Sequence, residues 1–101
     1  MTQYLCLMKM TPKGRAEIAK SLDRGSEIQD AIAELGVTRL DYWVTLGGFD
    51  CVMLFDAPDD AAMGHALMKI GTFGAVETQT LSVIGKDDYA AILAQLARET
   101  P

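Results

Sequence analysis

The sequence predicts an α+β fold in which a four-stranded antiparallel sheet carries its helices on one face. The chain has 101 residues, the length of one domain, and its composition of 50% hydrophobic and 23% charged residues is typical of a globular protein. Apolar residues recur at every second position in some segments, which indicates strands, and about every 3.6 positions in others, which indicates helices. The resulting order is strand, helix, strand, strand, helix, strand, with one further helix. We expect a single domain over residues 1–101, with a core at 3–85 and a C-terminal helix at 87–98.

The first strand and the first helical region occupy the N-terminal third. Residues 3–10 predict a strand with apolar side chains on both faces. Pro12 suits the start of a helix, and apolar residues beyond it repeat at helical spacing. Residues 23–26 interrupt that spacing, and Ser26 with Gln29 resembles a capping box. We therefore expect two helical pieces or one bent helix, with a new start at Ser26. The predicted buried stripe is Ala16, Ile18, Ala19, Leu22, Ile28, Ala31, Ile32 and Leu35.

Two strands, a helix and a last strand follow. Residues 37–46 alternate as a strand with one apolar and one mixed face, and residues 49–56 form a strand that is apolar on both faces. A helix is predicted from Pro58 to Gly71, and residues 75–84 read as a strand with mixed faces. On the strand at 37–46, the apolar face carries Leu40, Tyr42, Val44 and Leu46, and the mixed face carries Arg39, Asp41, Trp43 and Thr45.

This order of elements is the split βαβ pattern of a ferredoxin-like sandwich, with strand order 4-1-3-2. Two helices cover one face of the sheet, so the other face would leave a large apolar patch in water. We expect a second copy to cover it in a face-to-face homodimer, with the C-terminal helix folding over the sheet as the alternative. The exposed set is either Leu5, Leu7, Val52, Leu54 and Trp43 or Tyr4, Cys6, Met8, Met53 and Phe55.

Five segments resemble the GYD-domain family of small bacterial proteins, over roughly residues 3–85. They are "TPKG", "DR", "LGGFD", "DAPDD" and "FGAVETQTL", in that order along the chain. The resemblance implies the dimeric α/β-barrel form of the ferredoxin-like fold. Because the family is a domain of unknown function, the resemblance implies no particular reaction. Where the family has Gly-Tyr-Asp, this chain has Gly48-Phe49-Asp50 and so lacks the tyrosine hydroxyl.

Charge and composition argue against several classes of protein. The net charge is −5 and the nine basic residues are scattered, which is unsuited to binding nucleic acid. We find neither a secretory signal nor an apolar run near the roughly 20 residues that span a bilayer. Cys6 and Cys51 match no metal spacing and are expected to be reduced, buried thiols. The predictions are a cytoplasmic protein without metal or cofactor, whose partners are its own copies and a small molecule.

Gly47-Gly48-Phe49-Asp50 predicts a turn and not a phosphate-binding loop. The segment is too short for a Walker loop, lacks the Lys and Ser/Thr, and precedes a strand instead of a helix. A hairpin whose glycines supply positive φ explains it, with Asp50 accepting hydrogen bonds from nearby backbone amides.

Four residues are candidates for a ligand site: Arg24, Trp43, Asp50 and His65. His65 is the only histidine, and the alternatives for it are a surface residue, a general base or an axial haem ligand. Trp43 would stack on a flat ligand or fill a dimer interface. Arg24 would hold an anionic group with its planar fork, or it would cap backbone carbonyls or form a surface ion pair.

Two classes of function are compatible with these features of the sequence. The first is a homodimeric protein without catalysis, which binds a small apolar or aromatic molecule or acts as an assembly module. The alternative is a small cofactor-independent enzyme, monooxygenase- or isomerase-like, or a haem-binding protein that uses His65.

Overall fold

A four-stranded antiparallel sheet carries two longer helices on one of its faces in the computed structural model, which describes residues 1–100. The α+β class and the antiparallel sheet are as predicted. The elements in chain order are β1 (Thr2–Met10), α1 (Pro12–Ala16), a 3-10 helix (Ile18–Lys20), α2 (Ser21–Ala33), β2 (Thr38–Val44), β3 (Cys51–Ala57), α3 (Asp60–Thr72), β4 (Val76–Ser82) and α4 (Lys86–Glu99).

The strands lie in the order β2-β3-β1-β4, which is the order 4-1-3-2 read from the opposite edge. The two strands that are apolar on both faces, β1 and β3, therefore occupy the centre. Cys6 of β1 lies opposite Met53 and Thr80, whereas its neighbour Leu5 lies opposite Leu54 and Leu81. Because alternate side chains point to opposite faces, these two rows mark the two sides of the sheet.

The even-numbered residues of β1 point toward the helices and form the core. Tyr4, Cys6 and Met8 are buried there, and the alternative set with Leu5 and Leu7 lies on the opposite face. Burying one large apolar side chain contributes about 1.5–3 kcal/mol, so this layer stabilises the fold. The other buried core residues include Phe55, Ile32, Val37, Met63, Ala66 and Ile70.

The first helical region breaks earlier than predicted. The break lies in the 3-10 helix at Ile18–Lys20, and residues 23–26 are inside α2, so the predicted new start at Ser26 is wrong. Gln29 does not complete a capping box, since its side-chain oxygen accepts a hydrogen bond from Arg39. The predicted stripe is also wrong at its beginning, because Ile18 is 57% and Leu22 is 74% exposed.

A β-bulge in β2 changes which side chains share a face. The pairing of β2 with β3 shifts between Arg39 and Asp41, so one extra residue interrupts the alternation. Arg39 therefore lies on the helix face of the sheet with Tyr42, its guanidinium carbon 4.4 Å from the centre of that ring. The expectation that Arg39 shares a face with Trp43 is corrected accordingly.

Candidate functional site

The sheet face opposite α2 and α3, which we name the open face, is a continuous apolar surface. Trp43, Val52 and Leu7 lie side by side across three strands, and Leu54, Leu5 and Leu81 form the next row. Trp43 is 48% and Leu81 is 44% exposed, although both are large and apolar. No element among the described residues lies over this face.

α4 extends away from the rest of the chain and does not fold over the open face. Each residue of Lys86–Glu99 is exposed. The radius of gyration is 16.2 Å, compared with about 13 Å for a compact chain of this length. An isolated helix of this length is marginal in water. Its exposed apolar stripe consists of Tyr89, Ile92, Leu93 and Leu96.

Trp43 and His65 do not meet. Trp43 lies in the middle row of the open face. His65 is an exposed residue of α3, on the side of the sheet away from Trp43. The structure therefore does not bring these two candidates into one pocket.

Asp50 closes the turn between β2 and β3. Its Oδ2 accepts a hydrogen bond from the backbone N–H of Met10 at 2.6 Å, and its own N–H donates to the carbonyl of Met8 at 2.8 Å. Gly47 has φ of 119°, a value that favours glycine, whereas Gly48 does not have positive φ. The backbone contacts predicted for Asp50 and the turn itself are present, with one glycine and not two in the left-handed region.

A cavity of about 80 Å³ lies between α2 and the helix face of the sheet. Arg24 of α2 is the one candidate from the sequence that lines it. The polar part of the lining also includes Ser21, Gln29 and Arg39, with Gly25 of α2 beside them. The apolar part consists of Met8, Met10, Ile28, Ile32, Cys51, Met53, Phe55 and Val76.

Arg24 is held largely away from solvent. Its side chain is 13% exposed, and its NH1 is buried without a hydrogen-bond acceptor in residues 1–100. The nearest carboxylate oxygen, on Glu17, lies 4.0 Å from NH1 and so is beyond hydrogen-bond distance. A guanidinium keeps its charge at all ordinary pH, so the site carries a buried positive group.

Arg39 is the cavity residue that the sequence did not reveal. Its NH2 donates to Oε1 of Gln29 at 3.0 Å, and its guanidinium stacks on the Tyr42 ring. Strict alternation along β2 places Arg39 on the wrong face, and no glycine or proline marks the bulge. The feature of the sequence that could have indicated the cavity is Gly25, since a glycine inside a helix leaves space on the face it occupies.

Two thiols and a phenol on the helix face are weak acids. Burial raises the pKa of the Cys6 and Cys51 thiols above their usual value. The hydrogen bond from the Tyr4 hydroxyl to Asp60 raises the pKa of Tyr4. All three groups therefore keep their protons at neutral pH, so neither thiol is an activated nucleophile.

Comparison with known proteins assigns the family. A family model described as "GYD domain" matches residues 4–93. The chain belongs to the GYD-domain family. A relative from Thermus thermophilus, named "Glutamine synthetase and cystathionine beta-lyase binding protein", is 29% identical over 94 residues, which cover 92% of this chain and 99% of the relative. The crystal structure of TTHA0845 from Thermus thermophilus matches with a TM-score of 0.55 and 22% identity, over 84% of this chain and 95% of that one, and so shares the fold.

Most of the segments that resemble the GYD-domain family have a structural role here. Thr11 caps α1 by accepting from the N–H of Gly14, and Asp59 caps α3 by accepting from the N–H of Ala62. Asp50 fixes the turn before β3. The segment "DR" differs, because it contributes Arg24 to the cavity.

The described residues contain neither a cluster of metal-binding side chains nor a helix that could span a membrane. No three side chains of the types His, Cys, Asp and Glu gather there as metal ligands would. No helix within residues 1–100 combines the length and apolar character needed to cross a membrane.

Proposed function

We propose that this GYD-domain protein is a non-catalytic binding module that acts as a homodimer joined through its open face. The observation that carries the proposal is the apolar row formed by Trp43, Val52 and Leu7, which no part of residues 1–100 covers. Exposing so continuous an apolar surface to water is unfavourable. A second copy can cover it, because two-fold symmetry places the same apolar surface of the partner against it.

The free energy of association favours a dimer interface that includes α4 as well as the open face. Association costs about 4–15 kcal/mol, and fully burying a large apolar side chain contributes about 1.5–3 kcal/mol. The side chains of the open face are already partly buried, so the paired sheets alone give only a modest gain, close to the cost of association. The stripes of two α4 helices, each with four roughly half-exposed apolar residues, bring the gain above the cost. We therefore place α4 of each copy against its partner, beside sheets about 10 Å apart.

The dimer is tested by sedimentation of the wild type and of two lysine variants. Val52→Lys places a charge at the centre of the open face, between Trp43 and Leu7. Met68→Lys is the matched control, because Met68 is 75% exposed on α3, on the other side of the sheet. We expect a dimer at micromolar concentration for the wild type and for Met68→Lys, and a folded monomer for Val52→Lys. A folded wild-type monomer, or a Val52→Lys dimer of unchanged strength, contradicts the proposal.

The Thermus thermophilus relative extends the proposal to protein partners. That relative is named as a binding protein of glutamine synthetase and cystathionine beta-lyase. We propose that this chain also binds an enzyme, with glutamine synthetase as the first to test. Ile18 and Leu22 are 57% and 74% exposed on the helix layer and remain free when the open face is covered. They offer the dimer an apolar contact for such a partner.

The partner is tested with purified glutamine synthetase from the same organism. Binding to the immobilised enzyme is measured for the wild type, for Leu22→Lys and for the control Met68→Lys. We expect Leu22→Lys to weaken binding about tenfold or more, since it puts a charge into an apolar contact. If the wild type does not bind, glutamine synthetase is rejected as a partner. The dimer proposal is unaffected by that result, because sedimentation tests it separately.

A reducing cytoplasm is the setting that we propose, since both cysteines are free thiols. The enzymatic and haem-binding alternatives remain predictions. Haem binding is tested by adding haem to the wild type and to His65→Ala. If His65 is an axial ligand, the Soret band shifts only in the wild type.

A further inference from the structure

We propose that the cavity between α2 and the sheet binds a small apolar carboxylate, whose charged end is held by Arg24 and Arg39. This site is distinct from the open face and does not depend on the dimer. The shape, the charge and the lining of the cavity each suit such a ligand.

The shape follows from the residues that α2 turns toward the sheet. Ser21 and Gly25 occupy the inward positions in the first half of α2, and Ile28 and Ile32 occupy them further along. The small residues leave space between the first half of α2 and the sheet, whereas the isoleucines fill the space further along. A glycine inside a helix is less favourable than alanine, because it loses more backbone entropy on folding. Gly25 therefore keeps a cavity open at a position where most side chains would stabilise the helix.

The charge of the cavity is positive. Arg24 contributes a guanidinium whose NH1 has no acceptor in the described part of the chain, and the Glu17 oxygen at 4.0 Å is too distant to be one. Leaving such a donor unpaired is unfavourable, and more so for a charged group than for a neutral one. No acidic side chain lines the cavity. Because Arg24 lines the cavity, an anion bound there would offer its guanidinium an acceptor.

Arg39 is positioned to help with the same anion. Gln29 and the Tyr42 ring fix one edge and one face of its guanidinium. Its NH1 lies 3.7 Å from the point that a Cβ on Gly25 would occupy, so it stands at the glycine side of the cavity. Two planar guanidinium groups suit a carboxylate, which accepts paired hydrogen bonds from such forks.

The lining selects the rest of the ligand. Eight of the lining residues are Met, Ile, Cys, Phe or Val, so a strongly hydrated anion such as phosphate would lose water against apolar walls. A cavity of about 150 Å³ holds a benzene ring. The present cavity of about 80 Å³ therefore suits an aliphatic chain of a few carbons.

The methionines of the chain provide the test. Met8, Met10 and Met53 line the cavity, whereas Met68 is exposed on α3. The wild-type protein with carbon-13-labelled methionine methyl groups is titrated with butyrate, 1-butanol and inorganic phosphate in the millimolar range. We expect butyrate to move the three cavity resonances and to bind about tenfold more tightly than 1-butanol, with Met68 unmoved. Equal affinities for butyrate and 1-butanol, no movement, or phosphate as effective as butyrate each overturn the proposal.

Charge-neutral variants assign the anion to the arginines. Arg24→Gln should weaken butyrate about tenfold or more and abolish its advantage over 1-butanol, since a charge-assisted bond is lost. Arg15→Gln removes the same charge from an exposed residue and should change the affinity less than twofold. Glu17→Gln removes the nearest competing carboxylate and should strengthen binding. If Arg24→Gln does not fold, the proposal is tested by the preference of the wild type for butyrate over 1-butanol and by the affinity of Glu17→Gln for butyrate. Weaker butyrate binding by Glu17→Gln than by the wild type would contradict the placement of the anion at Arg24. Because each titration is read at cavity methyl groups, its failure is separate from a failure of the dimer.

Discussion

Gly14 lies so close to Ala75 that a Cβ on Gly14 would be 2.1 Å from the carbonyl oxygen of Ala75. The same carbonyl accepts a hydrogen bond from the N–H of Thr11 at 3.0 Å. The Thr11 hydroxyl donates to the carbonyl of Gly74 at 2.7 Å, and Lys13 donates to that of Phe73 at 3.0 Å. The start of α1 is thus fastened to the loop before β4, and only a glycine allows the contact.

Gly14→Ala should therefore destabilise the protein strongly. The added methyl group overlaps a backbone atom, so α1 and the loop must separate and the bond from Thr11 to Ala75 is lost. Overpacking of about 1–3 kcal/mol and a lost hydrogen bond of about 0.5–1.5 kcal/mol give an expected loss of roughly 1.5–4.5 kcal/mol in the free energy of unfolding. Urea unfolding measures it.

Gly64→Ala provides the control. A Cβ at Gly64 in α3 would meet nothing within 4 Å. The helix should gain about 0.5–1 kcal/mol from it. Equal effects of the two alanine substitutions would show that the contact of Gly14 with Ala75 is not the cause.

Asp50 should contribute through its bond to the backbone of β1. Its carboxylate accepts from the N–H of Met10 at 2.6 Å, where the strand pairing with β3 ends. A hydrogen bond to a charged group contributes about 1.5–3 kcal/mol. We expect Asp50→Ala to lose about that amount in urea unfolding, and Asp50→Asn, which keeps an acceptor, to lose less. An Asp50→Ala protein as stable as the wild type would contradict this role.

The sheet was predictable because its signals are local and repeated. β1 and β3 are apolar on both faces, which places them at the centre, and the glycines before Asp50 mark a turn. The bulge at Arg39 was not predictable, since it depends on the pairing of β2 with β3 and not on composition. The cavity was missed for the same reason: Arg24 was a candidate on its own, but its neighbour Arg39 was expected on the opposite face.

The apolar stripe of α4 should strengthen the proposed dimer. Ile92 is 49% exposed at the centre of that stripe. Ile92→Lys should weaken the dimer about tenfold or more, because it removes apolar burial and adds a charge that must lose water. Ala91→Lys is the control, since helical spacing places Ala91 on the opposite side of α4.

Sedimentation over a dilution series measures both α4 variants, and far-ultraviolet circular dichroism follows the helix. Helix content should fall on dilution in Ile92→Lys at higher concentrations than in the wild type, because an undocked α4 is marginal. A dimer weakened equally by Ala91→Lys, or unaffected by Ile92→Lys, would mean that α4 lies outside the interface.

Stability should decline at alkaline pH because the folded state keeps protons that the unfolded state releases. The pKa values of Cys6 and Cys51 are raised by burial, and that of Tyr4 is raised by its bond to Asp60. A group whose pKa is raised by folding contributes its full stability below its unfolded pKa and loses it as pH rises through the folded value. The unfolded thiol has a pKa of about 8.5, so urea unfolding should give a falling free energy above that pH. Cys6→Ala should lower stability at neutral pH and flatten the alkaline decline, since its thiol no longer titrates. A free energy that stays level or rises through this range, or an unchanged slope in Cys6→Ala, would exclude the buried thiol as the cause.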